Sequence, residues 1–329
     1  LIVIIPTKKC NLRCKHCLRD NYSEGDLQLE TLRKFIIGAY EHNLEREFSL
    51  TGGEPTLHSN LPGILEILRE FGYRGYIVTN GQSEEGIKKI MGFSDVIPYI
   101  RISLEGPDEK INDLVRGKGS FRKALRTIDF CKQKGLNVGT LTTLNAYNAG
   151  YVSEIFALAK RHKIDFVRFS TVHPCENSKK NNLNASVEVL REAHRVYRLT
   201  KVKYPQIESS FTDRHMLEYT DGDWPIGLCR PIDHFRSGEL VLLPDGKVSF
   251  CCNIFDFGFS ESNGGKSENK HHLNHILGDM QTDTFETILK NRKSLTRELL
   301  SRRRKDAIEG NFKLGRQFIC QNCKSYFFD

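Results

Sequence analysis

At 329 residues the chain is long enough for one large α/β domain of about 200 to 250 residues plus a smaller appendage, so its core needs no disulfide staples. Its net charge of +8 is spread over many lysines and arginines; the densest run, NRKSLTRELLSRRRKD at 291–306, has no aromatic residues for base stacking and is expected as an exposed helix, which argues against a nucleic-acid partner. No apolar run reaches the length of a membrane span, about 18 residues, so a soluble, cytoplasmic protein with no membrane partner is expected.

Short β-branched or apolar runs alternate with amphipathic segments of helical period, the pattern of repeated βα units on a parallel sheet. Strands are expected near 1–5, 46–51, 74–79, 97–104, 137–144 and 165–170, and helices near 27–43, 60–71, 84–92, 119–135, 149–162 and 186–203. Six such units fall short of an eight-fold closed barrel. An open, partial (β/α)6 TIM-like barrel is therefore expected over residues 1–205, with ligands at the carboxyl ends of the strands. The alternation stops near residue 205, and 206–329 reads as a small C-terminal domain. Within it, ELVLLPDGKVSFCC predicts a hairpin turning at Pro244-Asp245-Gly246, because proline presets φ and glycine permits the tight turn. SESNGGKSENK, 260–270, reads as a polar surface loop, with the nearby His271, His272 and His275 expected to be solvated.

Ten cysteines in a reducing compartment are metal ligands or catalysts before they are disulfide partners. Right after the first strand, PTKKCNLRCKHC carries Cys10, Cys14 and Cys17 as C-x3-C-x2-C. Three thiolates on one loop can hold a four-iron cluster with one iron left open. On spacing alone a zinc site with His16 or His58 as fourth ligand stays open. The next three strands end in LTGGEP (50–55), TNG (79–81) and RISLEG (101–106), all where strand ends face the cysteine loop.

The combination of C-x3-C-x2-C with GGEP resembles the radical S-adenosylmethionine (SAM) superfamily over residues 1 to about 205. The resemblance implies that Cys10, Cys14 and Cys17 bind three irons of a 4Fe-4S cluster and that SAM chelates the fourth. It implies that Gly52, Gly53 and Glu54 meet the methionyl amine, Ser103 the ribose with Asn80 nearby, and Arg116 the methionyl carboxylate. The backbone of His16 and the side chain of Leu144 are expected to flank the adenine, with Glu105 near the same mouth. By this resemblance, one electron from the cluster cleaves SAM to a 5'-deoxyadenosyl radical that takes a hydrogen atom from substrate.

In the C-terminal third, Cys229, then G-x4-C from Gly246 to Cys251, then C-x2-C at Cys320 and Cys323, resembles the auxiliary-cluster module called twitch, a shortened SPASM domain. The resemblance implies one fully ligated auxiliary 4Fe-4S cluster on Cys229, Cys251, Cys320 and Cys323; the same thiolates as a zinc ribbon are the alternative. Cys131 is expected to be a buried small apolar residue and Cys175 to lie nearer the mouth.

Successive side chains of a strand point to opposite faces, so if Cys251 binds the cluster, Cys252 faces elsewhere as a free thiol near the mouth. This resembles the ribosomal-peptide epimerases, in which such a cysteine returns hydrogen to the opposite face of an α-carbon and leaves a D-residue. An exchange of ligand roles between the two cysteines stays open. So do a small-molecule dehydrogenase and a thioether-forming peptide maturase; a plain iron-sulfur electron carrier would leave GGEP without a use. The expected partners are a ribosomal precursor peptide, docking on the barrel and C-terminal module directly, and a low-potential electron donor such as a flavodoxin or ferredoxin.

Overall fold

The computed structural model describes residues 1–19, 25–173, 175–212, 239–252 and 274–309. Strands β1 (Ile2–Ile4), β2 (Glu47–Leu50), β3 (Arg74–Thr79), β4 (Tyr99–Ser103), β5 (Val138–Leu144) and β6 (Phe166–Thr171) stand side by side, parallel and in chain order. Helices α1 (Leu29–Glu41), α2 (Leu61–Glu70), α3 (Glu84–Lys88), α4 (Glu109–Arg116), α5 (Ser120–Gln133), α6 (Val152–Arg161), α7 (Glu176–Lys180) and α8 (Val187–Lys203) connect or follow them. Helix α2 shows why: Leu61, Ile64, Leu65 and Leu68 fall on one buried face, and Asn60 caps the start by accepting the Gly63 N–H at 3.0 Å.

Alternation along the strands builds two interiors. Ile77, Ile100, Ile102, Val167 and Phe169 face the helices in the main core. The other face turns inward, where Tyr76 stacks on Tyr99 at 5.2 Å, the Arg101 guanidinium lies 3.7 Å from the Tyr76 ring centre, and Phe166 meets Tyr99 edge-on. These residues lie toward the amino ends of the strands, where Tyr99, Arg101 and Phe166 line a cavity of about 370 Å³. The opposite, carboxyl end stays available for the loops. The partial α/β barrel expected from the sequence is the fold observed.

Several elements were not anticipated. Strand β7 (Glu208–Thr212) pairs in parallel with β6, so the series runs past residue 205. The hairpin forms as expected from β8 (Leu240–Leu242) and β9 (Lys247–Ser249), with Gly246 at φ 90° and Asp245 Oδ1 accepting the Lys247 N–H. It does not form a sheet of its own. β8 pairs in parallel with β1, Ile2 beside Leu240, and β10 (Ile276–Asp279) completes the ten-stranded order β10-β9-β8-β1-β2-β3-β4-β5-β6-β7. The C-terminal hairpin thereby covers the edge of β1.

The basic run expected as an exposed helix lies in α9 (Phe285–Ile308), one face of which is buried through Ile288, Arg292, Leu295 and Leu299. Phe285 packs edge-on against Phe35 of α1 at 5.4 Å, in space left by Gly38, whose missing Cβ would strike the Phe285 ring. Solvated charges surround that face, which hid it from a reading of charge alone. Among the described residues no helix is long and apolar enough to cross a membrane.

Candidate functional site

The loop after β1 is locked to the end of β2 by backbone contact. Gly53 N–H donates to Thr7 O at 3.0 Å and Glu54 N–H to Lys9 O at 2.7 Å. Gly52 has φ 144°, and a Cβ on Gly53 would collide with the carbonyls of Lys9 and Lys8. The two glycines of GGEP are thus required by the close approach of two backbones, whatever else they touch.

This seat holds Cys10, Cys14 and Cys17, all free thiols of intermediate burial. Each end of the loop is tied down. Lys15 N–H donates to Val115 O of α4 at 2.9 Å, and the Asn177 and Asn181 side-chain amides donate to Cys17 O and Lys15 O at 3.1 and 3.4 Å. Donors also aim at the sulfurs: Leu12 N–H at 3.5 Å and Asn80 Nδ2 at 3.8 Å toward Cys10, and Arg116 Nη1 at 3.8 Å toward Cys14. Burial pushes the Cys14 thiol up to about 11 against the opposing pull of Arg116, and burial also raises Cys10. A metal centre reverses that cost, because its positive charge holds a coordinating thiol deprotonated.

The other predicted residues converge here with more specific tasks. Glu54, 1 % exposed, accepts from Thr56 N–H and Oγ1, Thr79 Oγ1 and Asn80 N–H, so much of its carboxylate is spent joining the ends of β2 and β3. Burial raises its pKa. Asn80 Nδ2 donates to Asn11 Oδ1 at 2.7 Å, on the cysteine loop itself, and Ser103 is buried at the end of β4. Arg116 does not stand free for a ligand carboxylate: Nε and Nη2 both bond Glu105 Oε1, at 3.1 and 2.8 Å. Glu105, fully buried, also accepts Thr143 N–H and lies 3.4 Å from His16 Nε2, whose pKa burial lowers. Leu144, at the end of β5, is fully buried in the main core. Cys131 is buried in the core as expected, and Cys175 caps α7 with its sulfur 3.7 Å from Cys17 O.

Sequence reasoning missed α4, which carries Arg116, and the loop ties of Asn177 and Asn181. The signal for α4 was present in Asp108, which accepts the Ile111 N–H as N-cap, and in Gly117 at φ 101° just past its end.

Cys251 and Cys252 lie just past the end of a strand. β9 ends at Ser249, so strand alternation no longer governs them. Their sulfurs and a carboxylate oxygen of Glu239 all lie within 4.8 Å of one another. Cys251 belongs to the main core, while Cys252 packs on the inner-face cluster of Val3, Ile5, Val241 and Leu243. Because β9 runs antiparallel to β8, both lie toward the amino end of β1, opposite the end from which the cysteine loop departs. The Cys252 thiol sits above its usual range: a hydrogen bond with Cys251 lowers it, and burial and the Glu239 charge more than offset that. His275, expected to be solvated, is partly buried with Nδ1 3.3 Å from Ser249 Oγ. Cys229, Cys320, Cys323, His271 and His272 lie outside the described residues.

The donor chemistry tests which metal group suits the first loop. A tetrahedral zinc ion at about 2.3 Å from each sulfur draws its thiolates to within about 4 Å of one another. Among the described residues the trio that comes within 4.8 Å is Glu239, Cys251 and Cys252, not the loop cysteines. Three separated thiols with N–H groups directed at two of them fit the wider frame of an iron-sulfur cluster.

The comparisons agree. Residues 4–159 match the radical SAM superfamily and residues 229–324 match SPASM, an iron-sulfur cluster-binding domain, so the chain carries a radical SAM domain followed by a SPASM domain. That pair implies a SAM-binding 4Fe-4S cluster, SAM and auxiliary iron-sulfur ligation as the cofactors.

Among individual proteins, the fold is similar to Streptococcus suis SuiB bound to S-adenosylmethionine, with TM-score 0.69, 15 % identity and coverage of 89 % of this chain and 67 % of that one. It is also similar to anSMEcpe with bound AdoMet, with TM-score 0.68, 19 % identity and coverage of 90 % and 81 %. In sequence it is 34 % identical over 194 residues to the Fe-coproporphyrin III synthase of Methanosarcina barkeri, covering 57 % of this chain and 48 % of that protein. It is 30 % identical over 159 residues to mycofactocin maturase MftC of Mycolicibacterium smegmatis, covering 47 % and 40 %. The matched stretch thus spans less than half of these curated relatives' own length.

Proposed function

We propose that this protein is a radical SAM peptide epimerase, in which Cys10, Cys14 and Cys17 hold the SAM-binding cluster and Cys252 returns a hydrogen atom to a peptide α-carbon. When bound, the reduced cluster and SAM supply a hydrogen-abstracting 5'-deoxyadenosyl radical. Gly52 and Gly53 bring the β2 end against the cysteine loop, and Asn80 and Arg116 direct donors at Cys10 and Cys14. The buried Glu105 fixes Arg116 by two bonds to one oxygen.

The observation that carries the reading is the placement of Cys252 on the inner face, at the end of β1 opposite the cysteine loop. A substrate carbon held in the interior would meet the two from opposite sides. Loss of hydrogen on one side and its return on the other inverts the carbon with no net oxidation. Cys252 gives its S–H hydrogen to carbon, and one electron and one proton from a low-potential donor such as a flavodoxin or ferredoxin restore it. A peptide substrate is supported by the likeness in fold to SuiB, also solved with precursor peptide SuiA, and to anSMEcpe with bound peptides. The 34 % identity to a Fe-coproporphyrin III synthase favours a second reading, action on a small molecule.

The two separate in deuterium oxide, with any short peptide found encoded beside the gene offered as substrate. Epimerisation adds one deuterium to the product and removes no hydrogen overall. Cys252→Ala should keep iron and SAM cleavage while losing the D-product. A product lighter by two hydrogens, or a D-product undiminished in Cys252→Ala, would overturn the epimerase reading.

A further inference from the structure

Glu239 immediately precedes β8 and is 8 % exposed. Its carboxylate accepts the Cys252 N–H at 2.8 Å, and one of its oxygens lies within 4.8 Å of the sulfurs of both Cys251 and Cys252. Among the described residues no lysine, arginine or histidine nitrogen comes within ion-pair distance of it, and its partners there are the N–H and the thiol of Cys252; of the other deeply buried carboxylates, Glu54 has four donors and Glu105 has Arg116. Buried carboxylates are paired, protonated or bound to metal. Two thiols beside this one make it a compact mixed oxygen and sulfur donor set around one metal atom, and the match to an iron-sulfur cluster-binding domain makes iron that metal.

We propose that Glu239 is a metal ligand, sharing with Cys251 an iron of the auxiliary centre. This rests on the assignment of Cys251 to that centre. It leaves the Cys252 thiol beside the iron but outside its ligand set. The backbone hydrogen bond from Cys252 to Glu239 then has a purpose, since it fixes the distance between the ligated carboxylate and the Cys252 thiol.

The test uses the full chain with Cys10, Cys14 and Cys17 all replaced by Ala, reconstituted with iron and sulfide, so that bound iron reports the auxiliary centre alone. Glu239→Gln keeps an oxygen to accept the Cys252 N–H but removes the anionic ligand. Glu239→Ala removes both, and Glu239→Asp keeps the carboxylate on a shorter arm. Iron and sulfide per chain, the Mössbauer spectrum and the electron paramagnetic resonance spectrum of the reduced protein are the readouts, with circular dichroism to check folding. Glu239→Gln is expected to lose more than half of the bound iron or to shift the spectrum, with Glu239→Asp recovering part of either. A purely structural acceptor would be satisfied by glutamine. Full iron and an unchanged spectrum in folded Glu239→Gln would therefore overturn the proposal. If in that case Cys251→Ala still loses iron, the auxiliary centre stands and only the role of Glu239 fails. If Cys251→Ala also keeps full iron, the underlying assignment of Cys251 fails as well.

Discussion

Replacing Gly53 with alanine tests whether the GGEP segment is a backbone seat for the cysteine loop. The new Cβ would lie 2.6 Å from Lys8 O and still closer to Lys9 O. For an ordinary contact of 3.4 Å the Lys8 carbonyl must retreat by about 0.8 Å, and it cannot do so alone because backbone hydrogen bonds at Thr7 and Lys9 hold the same segment. Overpacking of this kind costs about 1 to 3 kcal/mol, and weakening one or two backbone hydrogen bonds adds about 1 kcal/mol. At about 2 to 4 °C per kcal/mol for a large domain, the melting temperature of the iron-free protein should fall by roughly 4 to 16 °C. Cys10 follows Lys9 directly, so iron bound after anaerobic reconstitution should fall too. Gly150→Ala is the control, since its Cβ meets nothing within 4 Å. Calorimetry and iron analysis that find Gly53→Ala equal to the parent would refute the argument from close approach.

Glu105→Ala strands the Arg116 guanidinium in a buried site, and urea titration should show a loss of about 3 to 5 kcal/mol, with a smaller loss in Glu105→Gln; an unchanged midpoint would mean the pair is solvated. The protein should also weaken in alkali. Burial pushes the Cys131 thiol up to about 12 and the Tyr73 phenol up to about 12, from ordinary values of 9.0 and 10.0. Raised folded values mean that the unfolded chain loses these protons first, so their contribution is complete below about pH 9 and is lost as pH rises toward 12. Unfolding midpoints flat from pH 8 to about 11 would contradict this; in the same range Cys131 should resist alkylation until the chain unfolds.

The barrel was legible where burial imposes a period. β1 to β6 are short β-branched or apolar runs and α2 is a clean apolar stripe, so their existence followed from pattern. α4 was not, although Ile111, Leu114 and Val115 recur at helical spacing, because it is only 8 residues long and otherwise polar; β7, with sequence ESSFT, has a single large apolar residue. Contacts between distant segments were the least visible. Arg116 was recognisable as a candidate, but its bond to Glu105 depends on how the β4 loop and α4 meet. The division of Cys251 from Cys252 assumed a strand that ends two residues too soon, and Glu239 carried no motif at all. Alternation describes strands, and the convergence of three donors belongs to the turn beyond one.

The most direct measurement is 5'-deoxyadenosine formed when the anaerobically reconstituted protein is incubated with SAM and dithionite. It should form with the parent and with Cys252→Ala, and not with the protein in which Cys10, Cys14 and Cys17 are replaced by Ala. No 5'-deoxyadenosine from the iron-loaded parent, or an undiminished yield without the three cysteines, would contradict this.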